Sequence, residues 1–254
     1  MIDLENAIEE FLIYANNYDL TNPKMELKKH HSLRVMECSK KIAESLNLDE
    51  EQINLATLIG LLHDIARFEQ MKRYNTFFDP ISVDHGDLAV DILEENNFIR
   101  KFVQDDKYDK IIKTAIKNHN KWQIQDGLEG EYLLHSQIIR DADKLDIFLE
   151  GKELFWKEAN EIEAIENSNL SDDVYEKFLN HLPIKREKYH TQGDRIVLFM
   201  AFIFDLNFKY SFRTILENNY INIILDKFNF KNAETIDQFL NIREKSIEYL
   251  KNNS

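Results

Sequence analysis

Six glycines and three prolines are all that the 254 residues contain. At ordinary usage, roughly 12% for the two together, a chain of this length would hold about thirty. Tight turns draw on the positive φ that glycine tolerates and the fixed φ of proline. A sandwich or barrel, which reverses direction at roughly every tenth residue, is therefore a poor fit, and long helices joined by few turns are a good one. Periodicity agrees: apolar residues recur at steps of three and four, and almost no segment alternates with period two. The expected fold class is all-α.

The apolar stripes place the helices. Residues 3–18 align Ile8, Phe11, Leu12 and Ala15, and residues 24–46, after Pro23, align Leu27, His31, Val35, Cys38, Ile42 and Leu46. A third helix opens at Asp49, with Gln52 at capping-box spacing. Its stripe Leu55, Leu58, Ile59, Leu62 delivers His63-Asp64 at the C-terminal end. After a polar loop with Pro80, a helix from about 82–84 carries His85, Leu88, Ala89 and Ile92 on one face. Residues 107–120 carry Ile111, Ile112, Ala115, Ile116 and His119, and residues 132–149 include Arg140-Asp141-Ala142-Asp143-Lys144-Leu145-Asp146. Further helices are expected at about 151–167, 172–181, 194–206, 211–227 and 233–251. No repeat, low-complexity tract or linker interrupts the pattern, so one all-α domain is expected over 1–254.

Composition narrows the function classes. With 46 acidic and 32 basic residues the formal charge is −14, which disfavours a general nucleic-acid binder, since such proteins neutralise phosphates with a basic surface. A small anionic substrate held in a locally basic pocket remains compatible. The single cysteine, Cys38, can form no intrachain disulfide, in keeping with a reducing compartment. The opening MIDLENAIEE has no basic region of a signal peptide. The longest apolar run, Ile196–Phe204, is nine residues, against about twenty for a membrane span. A cytoplasmic protein without membrane contact is expected. That run, with Phe199, Phe202 and Phe204, reads as a core helix, part of which could instead be a homodimer face.

Four of the eight histidines, His31, His63, His85 and His119, fall on four successive helices, each on or beside an apolar face. Asp64 adjoins one of them and Asp143 sits inside the sixth helix. Imidazole and carboxylate are the usual ligands of a borderline divalent metal, and helical bundles build such sites from inward-projecting side chains. A lone histidine on an apolar stripe is more often a hydrogen-bonded core residue, as expected for His135. The recurrence over four helices favours a metal site only as a set.

The ordered segments His31-Ser32-Leu33-Arg34-Val35, His63-Asp64-Ile65-Ala66-Arg67, Asp84-His85, Asn118-His119-Asn120 and Ala142-Asp143-Lys144-Leu145 resemble the signature of the HD superfamily of metal-dependent phosphohydrolases. The resemblance covers about residues 25–150, leaving about 151–254 as a C-terminal helical extension. The stretch HDIARFEQ to YNTFFDPISVDHGDLAVDIL is similar to bacterial HD-domain proteins described as hydrolases without a substrate. Carried over by position, the resemblance implies that His31, His63, Asp64 and Asp143 bind a principal metal. His85 and His119 would serve a second, with Asp64 bridging. One or two divalent ions are implied, drawn from Mn, Fe, Ni, Co, Zn or Mg. Asn120 departs from the pattern, standing where some binuclear members have a further histidine, and Ala66 replaces a common glycine.

The reaction so implied is hydrolysis of a phosphate ester of a small metabolite, a nucleotide or a related compound, by metal-activated hydroxide. A bound divalent ion lowers the pKa of water and neutralises phosphoryl charge, and fixed cations stabilise the charge that develops. Arg67, three residues after Asp64, is the foremost candidate cation, followed by Lys144 and Arg34 as substrate-binding groups. Two alternatives remain open: a non-catalytic HD module that senses a nucleotide or binds a partner, and a di-iron oxygenase on the same scaffold.

Overall fold

Capping side chains and apolar stripes set the helices of the computed structural model, which describes residues 2–153, 159–182, 184 and 190–254. Every regular element among the described residues is helical. The chain divides into two compact units, Met1–Asp146 and Ile147–Ser254.

The first unit contains α1 (Leu4–Ala15), α2 (Pro23–Ser45), α3 (Glu50–Leu62), α4 (Ala66–Tyr74), α5 (His85–Glu94), α6 (Asp109–His119) and α7 (Gly130–Glu153) as far as Asp146. Asp3, Asn22, Asp49 and Asp84 each accept a backbone N–H in the first turn of α1, α2, α3 and α5, the usual satisfaction of orphan donors. Leu55, Leu58, Ile59, Leu61, Leu62 and Ile65 of α3 and its exit are wholly buried, together with Phe11 of α1 and Phe68 of α4. The buried face of α2 is displaced from its predicted stripe: Leu27, Cys38 and Leu46 are only half-buried, while Met25, Ser32, Met36, Ser39 and Ala43 are buried beside His31, Val35 and Ile42. Gly60 permits the close approach of α3 to α2: a Cβ there would lie 2.5 Å from Ser39 Oγ and 2.9 Å from Met36 Cα.

Two local expectations are corrected. The segment after His63-Asp64 is not a polar loop throughout, because residues 66–74 form α4. Only Ala66, Phe68 and Met71 give it an apolar face, and its fourth buried residue is the amide Gln70, so the stripe is too sparse to announce a helix. The Asp49–Gln52 capping box forms only in half. Asp49 accepts from the Gln52 amide at 2.9 Å, but the Gln52 side chain turns to Glu131 and to buried His135, whose Nε2 lies 2.6 Å from Gln52 Oε1.

The second unit contains the rest of α7 followed by α8 (Ala159–Glu166), α9 (Asp172–Leu179), α10 (Gln192–Met200), α11 (Lys209–Glu217), α12 (Tyr220–Leu225) and α13 (Ala233–Asn253). The helix expected over 151–167 has residues 154–158 outside the described residues. The one expected over 194–206 tightens to a 3₁₀ turn at 201–205. The one expected over 211–227 breaks at Asn219, whose φ of 56° is left-handed. Asp194 closes a capping box with Thr191 and also accepts from Ser171. Ile196, Val197, Met200 and Ile203 of the long apolar run are fully buried within this unit. Among the described residues no helix is long and apolar enough to cross a membrane.

Candidate metal centre

His31 lies in the middle of α2, and His63 and Asp64 lie in the turn between α3 and α4. His85 is the first residue of α5, His119 the last of α6, and Asp143 is within α7. The turn stays right-handed helical at His63 (φ −54°, ψ −39°) and Ile65 (φ −55°, ψ −30°), so alanine suffices at position 66.

The four imidazoles converge on one carboxylate. Asp64 Oδ2 is 3.4 Å from His31 Nε2 and 3.7 Å from His63 Nε2, while Oδ1 is 3.4 Å from His85 Nε2 and 3.6 Å from His119 Nε2. Asp143 Oδ1 joins the first pair, 3.1 Å from His31 Nε2 and 3.8 Å from His63 Nε2. Two donor groups result, His31–His63–Asp64 and Asp64–His85–His119, each with its ligand atoms within 4.8 Å of one another. The histidines and Asp64 are buried. Solvent reaches the group through Lys28, Arg67, Asp143 and Asp79, whose side chains are 19, 13, 20 and 25% exposed.

Each ring is held from behind through Nδ1. His31 Nδ1 meets Asp146 at 2.7 Å, and Arg34 grips the same carboxylate with two hydrogen bonds of 2.6 and 2.9 Å. His63 Nδ1 donates to the Gly60 carbonyl at 2.8 Å and His119 Nδ1 to the Ile116 carbonyl at 2.6 Å. His85 Nδ1 donates to Asp79, which also accepts from Gln70 and Arg67 at 2.8 and 3.0 Å. Such outer partners fix the tautomer of metal-binding histidines. Arg67 is itself tied down: Nε faces Asp64 Oδ1 at 3.3 Å and Nη1 donates to Gln70, the Phe77 carbonyl and Asp79.

The electrostatics follow from this geometry. Burial opposes the charge on Asp64, yet Lys28, His63 and Arg67 hold its carboxyl well below the usual carboxylate range. Asp143 and Asp146 are likewise held low against burial, chiefly by His31. Burial is the largest influence on His31, pushing it down, but hydrogen bonds to Asp143, Asp146 and Asp64 carry it up to about 10. Burial takes His63 down to about 3 and His85 down to about 4.

This donor set fits a divalent cation. His85 Nε2 and His119 Nε2 face each other at 3.0 Å, while both Nδ1 protons are engaged by Asp79 and the Ile116 carbonyl. Neutral rings with that tautomer bring two lone pairs together, which a shared cation relieves. On the other side, Asp64, Asp143 and Asp146 face His31, and a cation held by Asp64 and Asp143 would take over the compensation of buried charge that Lys28 and His31 supply there.

Of the residues singled out in the sequence, His31, His63, Asp64, His85, His119, Asp143 and Arg67 come together in this cluster. Arg34 stands one step back, on Asp146, and Lys144 is buried on α7 with Nζ donating to the Arg140 carbonyl at 3.3 Å. Asn120 braces the cluster, donating to Asp84 at 3.0 Å and Asp79 at 3.3 Å. Sequence reasoning missed Lys28, Asp79, Asp146 and Gln70. Lys28 and Asp146 were findable, being three residues from His31 and Asp143 and so on the same helix faces. Asp79 lies in the turn before α5, where periodicity carries no signal.

A shared carboxylate among buried imidazoles places this among helical proteins with a His/Asp cluster able to hold a metal ion. The family model for the HD domain matches residues 29–147, a little under half of the chain, and over those residues the chain is similar to an HD domain. The match opens just before His31 and closes just after Asp146, so it contains every candidate ligand, with Lys28 one residue outside it. No curated protein and no solved structure matches the chain.

Proposed function

We propose that the protein is a metal-dependent phosphohydrolase that cleaves a phosphate ester of a small metabolite, with a nucleotide or a related compound as the leading substrate class. The observation that carries this reading is the division of Asp64, one oxygen toward His31 and His63 and the other toward His85 and His119. His31, His63, Asp64 and Asp143 would hold one divalent ion, and His85, His119 and Asp64 a second. Ions held there supply a water of lowered pKa and offset phosphoryl charge.

The protein's own contribution is positional. Asp146, Asp79 and the Gly60 and Ile116 carbonyls keep the four Nε2 atoms turned inward. Arg67 holds a guanidinium at the rim, anchored to Gln70, Phe77 and Asp79, where fixed positive charge stabilises a developing phosphoryl charge without reorganisation. A net charge of −14 repels anions at long range, so an anionic substrate depends on this local positive potential.

Elemental analysis of the purified protein followed by a phosphatase and nucleotidase panel with the metal found tests the reading. Turnover of a phosphate ester that is lost in Asp64→Ala, with melting temperature retained, is the expected result. Metal-replete protein that hydrolyses nothing across the panel overturns it.

A further inference from the structure

Two cations touch Asp64, and they are held very differently. Arg67 makes hydrogen bonds to Gln70, the Phe77 carbonyl and Asp79 in addition to its contact with Oδ1, and its guanidinium lies 5.5 Å from the centroid of the Phe77 ring. Lys28 approaches from the second turn of α2, and Asp64 Oδ2 is the partner of its ammonium, at 2.8 Å. Its side chain is 19% exposed, on a four-carbon stem with free rotation and a compact charge. The oxygen it holds is the one that faces His31 and His63.

We propose that Lys28 is the exchangeable cation of this centre: it competes with a divalent ion for Asp64 Oδ2 and, once displaced, binds the anionic oxygens of the substrate. The inference rests on the phosphohydrolase reading and adds a residue outside its ligand set. Two positive charges close to one carboxylate oxygen repel, so a divalent ion entering between His31, His63 and Asp64 weakens the hold on the ammonium. The ammonium then needs an acceptor close to the rim, and a phosphoryl group supplies three. Arg67 cannot make that exchange without abandoning three other acceptors, so the two cations divide the work, one fixed and one mobile.

The test uses the full chain with Mn²⁺ and inorganic phosphate as probes. Calorimetric titration of metal-stripped Lys28→Met with Mn²⁺ is expected to show about tenfold tighter first-ion binding than wild type, because a competing charge is gone. Phosphate binding by the Mn²⁺-saturated variant is expected to weaken about tenfold, and Lys28→Arg, which keeps the charge, should restore it. Lys28→Gln repeats the measurement should the methionine variant melt early. Unchanged Mn²⁺ affinity, or unchanged phosphate affinity at saturating Mn²⁺, overturns the role of Lys28 while leaving the metal centre standing. Wild-type protein that takes up no divalent ion of any kind overturns both.

Discussion

On the Oδ2 side of Asp64 the ligand-type residues come from the interior of α2, the exit of α3 and the interior of α7. Behind them stand Asp146, braced by Arg34, and the Gly60 carbonyl. On the Oδ1 side they come from the first residue of α5 and the last of α6, and His85 is oriented by Asp79 in the short 3₁₀ turn Asp79–Ile81. The first half has two histidines and two carboxylates, Asp64 and Asp143. The second has two histidines and only the shared Asp64, with Arg67 fixed beside it. Helix interiors give the first half a rigid frame, whereas helix ends fray more readily. More negative charge on a stiffer frame implies tighter cation binding, so the two halves are expected to fill in that order, Oδ2 side first.

Removing the shared carboxylate should break the comparison outright. Asp64→Asn is nearly isosteric but deprives both halves of their common charge, and it leaves Lys28 and Arg67 facing a neutral amide. Because even the outer partners of metal ligands are worth about 10–100-fold in affinity, losing this ligand should cost at least about 100-fold at both sites. Metal content measured after dialysis should fall from as many as two ions per chain to none, and turnover should disappear with it. Retention of one ion would show that one half stands without Asp64.

Asp79→Asn should separate the halves. It removes the charge that orients His85 and anchors Arg67 and Gln70, with no contact to His31 or His63. Affinity for the second ion should drop about 10–100-fold, with the first unchanged, giving a biphasic titration where wild type shows two close steps. Equal weakening of both steps would mean that Asp79 supports the whole centre rather than its Oδ1 side.

The same difference explains what could be read in the sequence. The Oδ2 half was legible in nearly every member because His31 and His63-Asp64 sit on or at the end of long apolar stripes, while Asp143 was named by the resemblance to the HD signature. Its outer partner Asp146 was missed, and Arg34, expected as a substrate-binding group, grips that carboxylate. The Oδ1 half was legible in its histidines but not in what holds them, since Asp79 belongs to a turn and Gln70 to α4, a helix whose sparse apolar face resembles a loop. The broad fold was legible from the shortage of turn residues. The break at Asn219 was not, because asparagine adopts a left-handed φ without the glycine that usually marks it.

Gly60→Ala presses on the first half through the backbone. The new methyl would meet Met36 Cα at 2.9 Å and Ser39 Oγ at 2.5 Å. The hydroxyl can rotate away, but the α2 backbone must shift, and α2 carries His31. Overpacking of this kind costs about 1–3 kcal/mol, visible as a lower melting temperature. First-ion affinity should weaken while second-ion affinity stays close to wild type, the mirror image of Asp79→Asn. A variant as stable as wild type would mean that α2 and α3 have slack that their packing does not suggest.

The smallest effect comes from a histidine that belongs to neither half, and it sets the background against which acid sensitivity of the centre must be judged. His135 is wholly buried on α7, its Nε2 at Gln52 Oε1, and burial pushes it down to about 4. In the unfolded chain it titrates near ~6.5. Between these values the unfolded state binds the extra proton, so stability falls as pH falls below ~6.5 and the loss levels off below about 4. At pH 5.5 the loss is on the order of 1 kcal/mol. Chemical denaturation of metal-stripped protein at pH 7.5 and 5.5 should show it, and His135→Gln should remove that share of the pH dependence. An identical pH dependence in the variant would place the acid sensitivity in the His31 and His85 halves themselves, where protons and divalent ions compete for the same ring nitrogens.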